Sequence, residues 1–416
     1  MNTESPKISI CQLPNGWRRV AVRDMADSIQ YGLTASAINR KYGPRFLRIT
    51  DIQDGRVNWS EVPSCDIPKA DIPKYRLSSG DLVFARTGAT TGKSFLIGDC
   101  PEAVFASYLI RVRVSADVDS RYLSAFFQSP DYWRQIEDGK RGIGQPNVNG
   151  TVLGEVQFPV APLHEQRRIV AEIEKQFTRL DAGVAALRRV QANLKRYRAA
   201  VLKAACEGRL VSSSVKWPRR KLGELTSKIG SGSTPRGGAD VYRDAGIPLI
   251  RSMNVHSTGF RFDGLAHIDE TEAEKLDHVT VEAGDVLLNI TGASIGRVTT
   301  APASLDGARV NQHVCIIRPN QGLVSAFLAI FLASPIEQAR VLNVQVGATR
   351  QALTKSMIVN WEVPVPPLAE QTRIVAEVER RLSVVEELET VVTANLQRTI
   401  RLRQSILQEA FTGNFT

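Results

Sequence analysis

Cysteine and histidine are scarce, five of each in 416 residues. Cys11, Cys65, Cys100, Cys206 and Cys315 stand far apart with no C-x-x-C pair. That spacing argues against a disulfide framework and against a zinc site, and leaves buried reduced thiols. No stretch approaches the roughly 20 apolar residues of a membrane span. The N-terminus, MNTESPKISI, lacks the basic-then-apolar order of a signal peptide. The expectation is a soluble, cytoplasmic protein with no membrane partner.

Catalytic signatures are missing too. There is no [DNS]-P-P-[FYW] segment, no G-x-G-x-x-G between a strand and a helix, no H-E-x-x-H or G-x-S-x-G, and no nuclease-like P-D…[DE]-x-K set. The segment Gly88-Ala-Thr-Thr-Gly92-Lys93-Ser94 imitates a phosphate-binding loop. Such a loop needs four residues between its glycines, and here three stand there, with Thr87 in front. It reads as a glycine turn ending a strand, and Asp81 and Asp285, each after a glycine, read as turn formers ahead of strands.

The composition that is present, 43% apolar and 23% charged, is that of a globular chain, and 45.8 kDa is enough for two or three domains. Lys and Arg number 53 against 43 Asp and Glu, a net charge of +10. Such a balance raises the odds of a nucleic-acid partner. It does not locate a binding face, because 11 basic against 5 acidic residues fall in 162–210, whereas 1–161 carries 20 against 17 and 211–366 carries 16 against 14.

An internal repeat organises the chain. Residues 162–174, PLHEQRRIVAEIE, and 367–379, PLAEQTRIVAEVE, agree at ten of thirteen positions with an offset of 205. The same offset relates Ser129-Pro130 to Ser334-Pro335, Pro159 to Pro364 and Gly208 to Gly413, while Gly80-Asp81 matches Gly284-Asp285 at a slightly shorter one. A period this long is no solenoid, so each copy should hold a globular domain and a tail. The first part of each copy is rich in short β-type runs: FLRITDI, DLVFAR and YLIRVRV, then IPLIRS, DVLLNITG and HVCIIRP. Helical stretches at 119–137 and 323–342 sit among them.

The tails differ in kind. From Pro162 to Gly208 apolar residues recur at Val170, Ile173, Phe177, Leu180, Val184, Leu187, Leu194 and Val201, and the second tail repeats the stripe from Val375 to Ile406. Steps of three, four and seven predict long amphipathic helices, opened by proline and a first-turn glutamate and closed by glycine. Some 45 residues make a helix of about 65 Å, more than one small domain can cover. The two stripes are expected to pair antiparallel around a pseudo-dyad, with the globular domains held apart at opposite ends. The fold class is therefore α+β: two mixed α/β domains (1–161 and 211–366), two spacer helices (162–210 and 367–416) forming a coiled coil, and a pseudo-two-fold repeat.

Recognition chemistry is concentrated in loops. The first copy offers Arg40, Lys41, Arg45, Arg86, Thr87, Lys93, Arg141, Gln145 and Asn147; the second offers Arg236, Arg251, Asn289, Thr291, Arg297, Gln312, Arg350 and Gln351. Arg, Asn and Gln can make bidentate contacts to base edges, and Lys and Arg hold phosphates. Any one of them can equally be a solvated charge or a loop cap.

The twice-occurring P-L-x-E-Q-x-R-I-V-A-E helix start, each time after a sheet-rich domain and before a closing A-x-x-G, resembles the specificity (S) subunit of type I restriction-modification systems along essentially the whole chain. The pieces DVLLNITGASIGR and GATRQALTKSM are similar to target recognition domains of that family. The resemblance implies two target recognition domains, each reading one half of a bipartite, asymmetric double-stranded DNA sequence in the major groove. It implies a host-defence role in DNA methylation and restriction, with the coiled coil as spacer. It also implies docking of two methyltransferase (M) subunits and, in the full complex, of restriction (R) subunits. On this resemblance the chain is no enzyme and binds no cofactor or metal; S-adenosylmethionine, ATP and Mg belong to the partners. Coiled-coil pairing and subunit docking fall to Glu165, Gln166, Ile169, Ile173, Leu180, Leu187, Glu370, Gln371, Ile374, Val378, Val385 and Val392. The rival reading is a stand-alone coiled-coil DNA-binding regulator or scaffold without restriction partners.

Overall fold

The computed structural model describes residues 13–39, 42–53, 55–88, 90–139, 148–211, 216–235, 237–343 and 352–415. Two helices dominate the element order, Leu163–Cys206 and Leu368–Thr412, of 44 and 45 residues. Each begins after a proline whose carbonyl accepts first-turn amides: Pro162 from Glu165 and Gln166 at 2.8 and 3.0 Å, Pro367 from Glu370 and Gln371 at 2.8 and 2.9 Å. Each ends on a left-handed glycine. At Gly208 (φ +71°) the following Arg209 amide bonds back to Ala204 at 2.9 Å, and at Gly413 (φ +86°) Asn414 bonds back to Glu409 at 3.2 Å. This is the helix stop that glycine makes possible.

The chain forms two compact units, Met1–Leu187 with Ala394–Thr416, and Arg188–Thr393. Each unit therefore owns one sheet-rich domain and a piece of both long helices, a partition that cuts across the four segments expected from the sequence. Within each unit the helix pieces run antiparallel. In the first, Val170 and Ile173 share a core with Ile406, Leu407 and Ala410, while Asp181 pairs with Arg403. In the second, Arg198 meets Glu386 and Glu389 at 3.4 and 3.5 Å, while Val201 and Ala205 share a core with Ile374 and Val378.

The main sheet of the first unit orders Ala26–Tyr31, Leu109–Val114, Leu82–Ala85 and Ser94–Leu96, all antiparallel. The second unit repeats this with Thr226–Ser231, Val314–Pro319, Val286–Asn289 and Val298–Thr300. Both faces of these sheets are covered. Leu82, Phe84, Ile110 and Val112 face a core shared with Ile169, Ile173 and Phe411, while Val83 and Leu109 face Leu47, Leu77 and Phe105. Burial on both sides is why LVFA and VLL read as unbroken apolar runs instead of alternating ones.

A second sheet in each unit contains one parallel pair, Ala103–Phe105 with Arg45–Leu47 in the first and Ile247–Ile250 with Arg309–Val310 in the second. A short antiparallel pair ties the chain entering each domain to the segment leading into its long helix. These are Arg18–Ala21 with Gln157–Val160, and Arg219–Lys221 with Glu362–Pro364.

Two expectations need correction. FLRITDI is not one strand: Phe46 and Leu47 belong to the strand Arg45–Leu47 and Ile52 opens the strand Ile52–Gln53, while between them Asp51 accepts the Arg48 amide at 2.9 Å and curls Ile49–Asp51 into a 3-10 turn. The stretches 119–137 and 323–342 are each two helices, Ser120–Phe126 and Pro130–Gly139, then Ser325–Leu332 and Pro335–Asn343. The breaks come at Pro130 and Pro335, which cannot donate to the preceding turn. No single described helix is long and apolar enough to cross a membrane; the bent pair Ser325–Leu332 and Pro335–Asn343 reaches that composition because Phe327, Leu328, Phe331, Leu332 and Val341 are core. Burial pushes the Cys65 thiol up to about 11 and those of Cys206 and Cys315 to about 12, so all three are protonated and inert at neutral pH.

Candidate nucleic-acid interface

Gly80-Asp81 and Gly284-Asp285 stiffen the approach to the central strand of each main sheet. Asp81 accepts the Ser78 amide at 2.9 Å and Asp285 the Glu282 amide at 2.8 Å, which makes both turn formers. Both are also buried anchors of ion pairs, with Arg113 and Arg111 on Asp81 and Arg318 on Asp285.

At its far end the strand Leu82–Ala85 runs into the loop 86–93. Gly92 donates to Ala85 at 2.8 Å and Ala85 to Lys93 at 2.9 Å, so the loop returns at once to the strand Ser94–Leu96. No helix follows, which removes the dipole and amide cradle that a phosphate-binding loop requires.

Three segments converge on this sheet end in each unit. In the first, Arg86 donates its amide to Tyr108 at 3.0 Å and Val148 donates to Arg86 at 3.1 Å. In the second, Ile290 donates to His313 at 2.9 Å and Leu353 to Ile290 at the same distance. The loops after strands Leu82–Ala85 and Val286–Asn289 are thus stitched to the segments ending at Val148 and Leu353. Asn149 and Thr354 then cap the short helices that follow, accepting from Val152 at 2.8 Å and Met357 at 3.3 Å.

Of the residues expected to meet DNA, Lys93, Arg297 and Gln312 are exposed, and Thr87 and Thr291 are half-buried beside them. Arg86 lies over the Tyr31 ring, 5.1 Å from its centroid. Arg45 is tied down, its Nη1 donating to the Val62 carbonyl at 3.0 Å. Arg251 is folded back as well, stacked 5.0 Å over Tyr242 with Nη2 donating to the Gly264 carbonyl.

Asn289 must be reassigned. It is fully buried and its amide donates to the Ser252 carbonyl at 2.8 Å and to Ser294 Oγ at 3.1 Å, so it holds the loop from inside and presents nothing outward. Arg40, Lys41, Arg141, Gln145, Asn147, Arg236, Arg350 and Gln351 lie outside the described residues. Sequence reasoning missed Tyr31 and Tyr108, 40% and 62% exposed at this edge, and His313. The offset of 205 that pairs the two helix starts also pairs Tyr108 with His313, which was the available signal.

On the helices, Ile169, Ile173, Ile374, Val378, Val385 and Val392 are buried seam residues, and Leu180 and Leu187 are half-buried. Gln166 and Gln371 are also fully buried, within their own units. Gln166 accepts the Asp119 amide at 2.9 Å and donates to the carbonyls of Asp117 and Ala161 at 3.0 and 2.8 Å. Gln371 repeats the set with Val324, Gly322 and Pro366 at 2.7, 3.1 and 2.9 Å. Glu165 accepts from the Trp17 indole at 2.9 Å, and Glu370 is 5% exposed. Gln166 and Gln371, with Glu165 in the first unit, therefore fasten each helix start to its own domain, and the two glutamines and Glu370, being buried, do not offer the docking surface expected of them.

A family model, the type I restriction modification DNA specificity domain, matches residues 14–186 and again 214–395. The chain belongs to the type I restriction-modification DNA specificity family. Among relatives it is 26% identical over 433 residues to the EcoBI specificity subunit of Escherichia coli, spanning 98% of this chain and 88% of that protein. It is 25% identical to the EcoKI specificity subunit of Escherichia coli K12 (98% and 91%). A putative MjaX specificity subunit of Methanocaldococcus jannaschii is 24% identical (98% and 95%).

In fold it is similar to a chain from a structure of a type I R-M system concerned with complex assembly and conformational transition. The TM-score is 0.77 at 22% identity, over 96% of this chain and 98% of that one. The HsdS subunit of Thermoanaerobacter tengcongensis gives 0.56 at 21%, over 97% and 98%. These likenesses lend no support to a stand-alone regulator or scaffold.

Proposed function

We propose that this chain reads a bipartite, asymmetric DNA target for a type I restriction-modification complex, one half-site per recognition domain. The observation that carries the reading is a duplicated sheet end, joined by the same backbone bonds at Arg86 and Val148 in one unit and Ile290 and Leu353 in the other, and different in side chains. Arg86, Tyr31 and Tyr108 in one unit correspond in register to Ile290, Ser231 and His313 in the other. One scaffold with two surfaces suits two unlike half-sites. Lys93 and Arg297, exposed and charged, hold phosphates, while neighbouring polar and aromatic groups meet base edges.

The chain works in the cytoplasm, binds no cofactor and contributes no catalytic group. Two methyltransferase subunits supply S-adenosylmethionine chemistry, and restriction subunits supply ATP- and Mg-dependent steps. Exposed apolar residues on the second helix, Val384, Leu388 and Val391 at i, i+4 and i+7, form one stripe suited to a methyltransferase face.

Methylome sequencing of a host carrying the neighbouring methyltransferase, with and without this chain, tests the reading. A chain-dependent N6-methyladenine mark at one split, asymmetric motif is expected; no such mark while the two proteins co-purify would overturn it. For the docking stripe, Leu388→Glu with Val391→Glu should weaken methyltransferase association about a thousandfold, taking ~2 kcal/mol for each buried anchor. Undiminished co-purification would place the contact elsewhere.

A further inference from the structure

In the second unit, four side chains at the recognition edge form one hydrogen-bonded relay. The Thr234 hydroxyl donates to Gln312 Oε1, Gln312 Nε2 lies 3.1 Å from His313 Nε2, and His313 Nδ1 contacts Thr291 Oγ1. For this placement of the Gln312 amide and a neutral imidazole, donor accounting gives one direction. With Oε1 accepting from Thr234, the Gln312 amide donates to Nε2, so the imidazole carries its proton on Nδ1 and donates it to Thr291. The hydrogen left over is that of the Thr291 hydroxyl.

The relay is held from beneath, where His313 donates its amide to Asn311 Oδ1 at 3.0 Å and Asn311 is buried. Yet Thr234 and Gln312 are exposed and Thr291 is half-buried. On such an edge water can satisfy each polar group separately, so the relay does little for stability and much for orientation.

The first unit builds the same backbone without the relay. Tyr108 occupies the place of His313, Ser107 that of Gln312, and Thr87 that of Thr291. Tyr108 is 62% exposed, and among the described residues its hydroxyl makes no hydrogen bond.

Building on the DNA-reading function proposed above, we infer that positions 108 and 313 set base preference at one place in each half-site. In the first domain Tyr108 meets the base itself. In the second, His313 is a positioning residue that leaves Thr291 as an outward donor. With one of its two lone pairs taken by the imidazole and its hydrogen outward, the hydroxyl favours acceptors such as guanine O6 or N7, adenine N7 or thymine O4 over the cytosine amino group, which meets only the remaining lone pair.

The test is the methylated motif written in cells by the full chain with its methyltransferase partner. His313→Phe keeps the ring and removes both nitrogens. Discrimination against cytosine should fall about tenfold at one position of one half-site, with the other half-site unchanged. Thr291→Val should relax the same position, and Tyr108→Ala a position in the other half-site. Unchanged preference at every position in His313→Phe and Thr291→Val would overturn the inference. So would uniform loss of methylation in both, which would mark the relay as structural. A wild-type chain that writes no motif would instead overturn the DNA-reading function itself.

Discussion

Asp81→Ala will destabilise the first unit by about 3–5 kcal/mol, the range for stripping the counter-ion from a buried charge. Asp81 is 4% exposed at its side chain and faces two guanidinium groups, Arg113 at 2.8 Å and Arg111 at 3.8 Å. Arg111 is 2% exposed. Burial holds its pKa below the ordinary value and Arg113 pushes the same way, while Asp81 opposes both. Without Asp81, Arg111 keeps the carbonyls of Arg76 at 2.7 Å and Lys74 at 3.3 Å, the Gln30 side chain and the Phe105 ring 5.1 Å away, none of which carries a balancing charge.

The repeat supplies the control. Asp285 sits at the equivalent place, but the residue matching Arg111 is the apolar Ile316, and Arg318 keeps Glu282 as a second partner. Asp285→Ala should therefore cost less, about 2–3 kcal/mol. Arg111→Ile, which copies the second unit, should restore about 2 kcal/mol to the Asp81→Ala chain by removing the stranded charge. Urea unfolding followed by tryptophan fluorescence and circular dichroism measures all four chains. A loss under about 1 kcal/mol in Asp81→Ala would mean that water already serves the pair.

The long helices were legible because every level of the sequence agrees on them: proline at the start, an unbroken stripe, glycine at the stop. The central strands were legible because LVFA and the VLL of VLLN are unbroken apolar runs. Ala37–Ile38 and Ser64–Cys65 were not, since two residues cannot display a period and their pairing is settled by tertiary contact.

Side-chain roles were harder to read. Asn289 has base-reading chemistry, but it ends a strand buried on both faces, and that position decided its role. Residue type proposes a contact; burial disposes of it. The docking role expected of Gln166 and Gln371 failed for a related reason. An identical motif at a fixed offset marks a shared constraint, and here the constraint is internal, the fastening of a helix to its own domain. Tyr108 and His313 carry neither a fixed charge nor an amide, so residue type did not single them out, although the repeat places them at equivalent positions.

That fastening carries the second large effect. Gln166→Ala removes a fully buried side chain that supplies one acceptor and one donating amide, leaving the Asp119 amide and the carbonyls of Asp117 and Ala161 without their partner, the last of them in a fully buried bond. At about 1–1.5 kcal/mol for each lost bond, and more where a buried group is stranded, the loss should be about 3–5 kcal/mol. Gln166→Glu should fare no better, because a carboxylate can still accept from Asp119 but would face two carbonyls with nothing to donate. Gln371→Ala should cost the second unit a similar amount, since its three bonds have the same form.

The two glutamines share no partner, so their effects should add to within about 0.5 kcal/mol. A double variant losing about 6–10 kcal/mol would consume most of the stability of an ordinary domain pair. It should therefore accumulate as insoluble protein while each single variant still folds in the cold. Thermal unfolding of the single variants decides the matter. A loss below about 1 kcal/mol in either would mean that the helix start is held by its apolar seam alone, with Ile169 and Ile173, or Ile374 and Val378, sufficient without the buried amide.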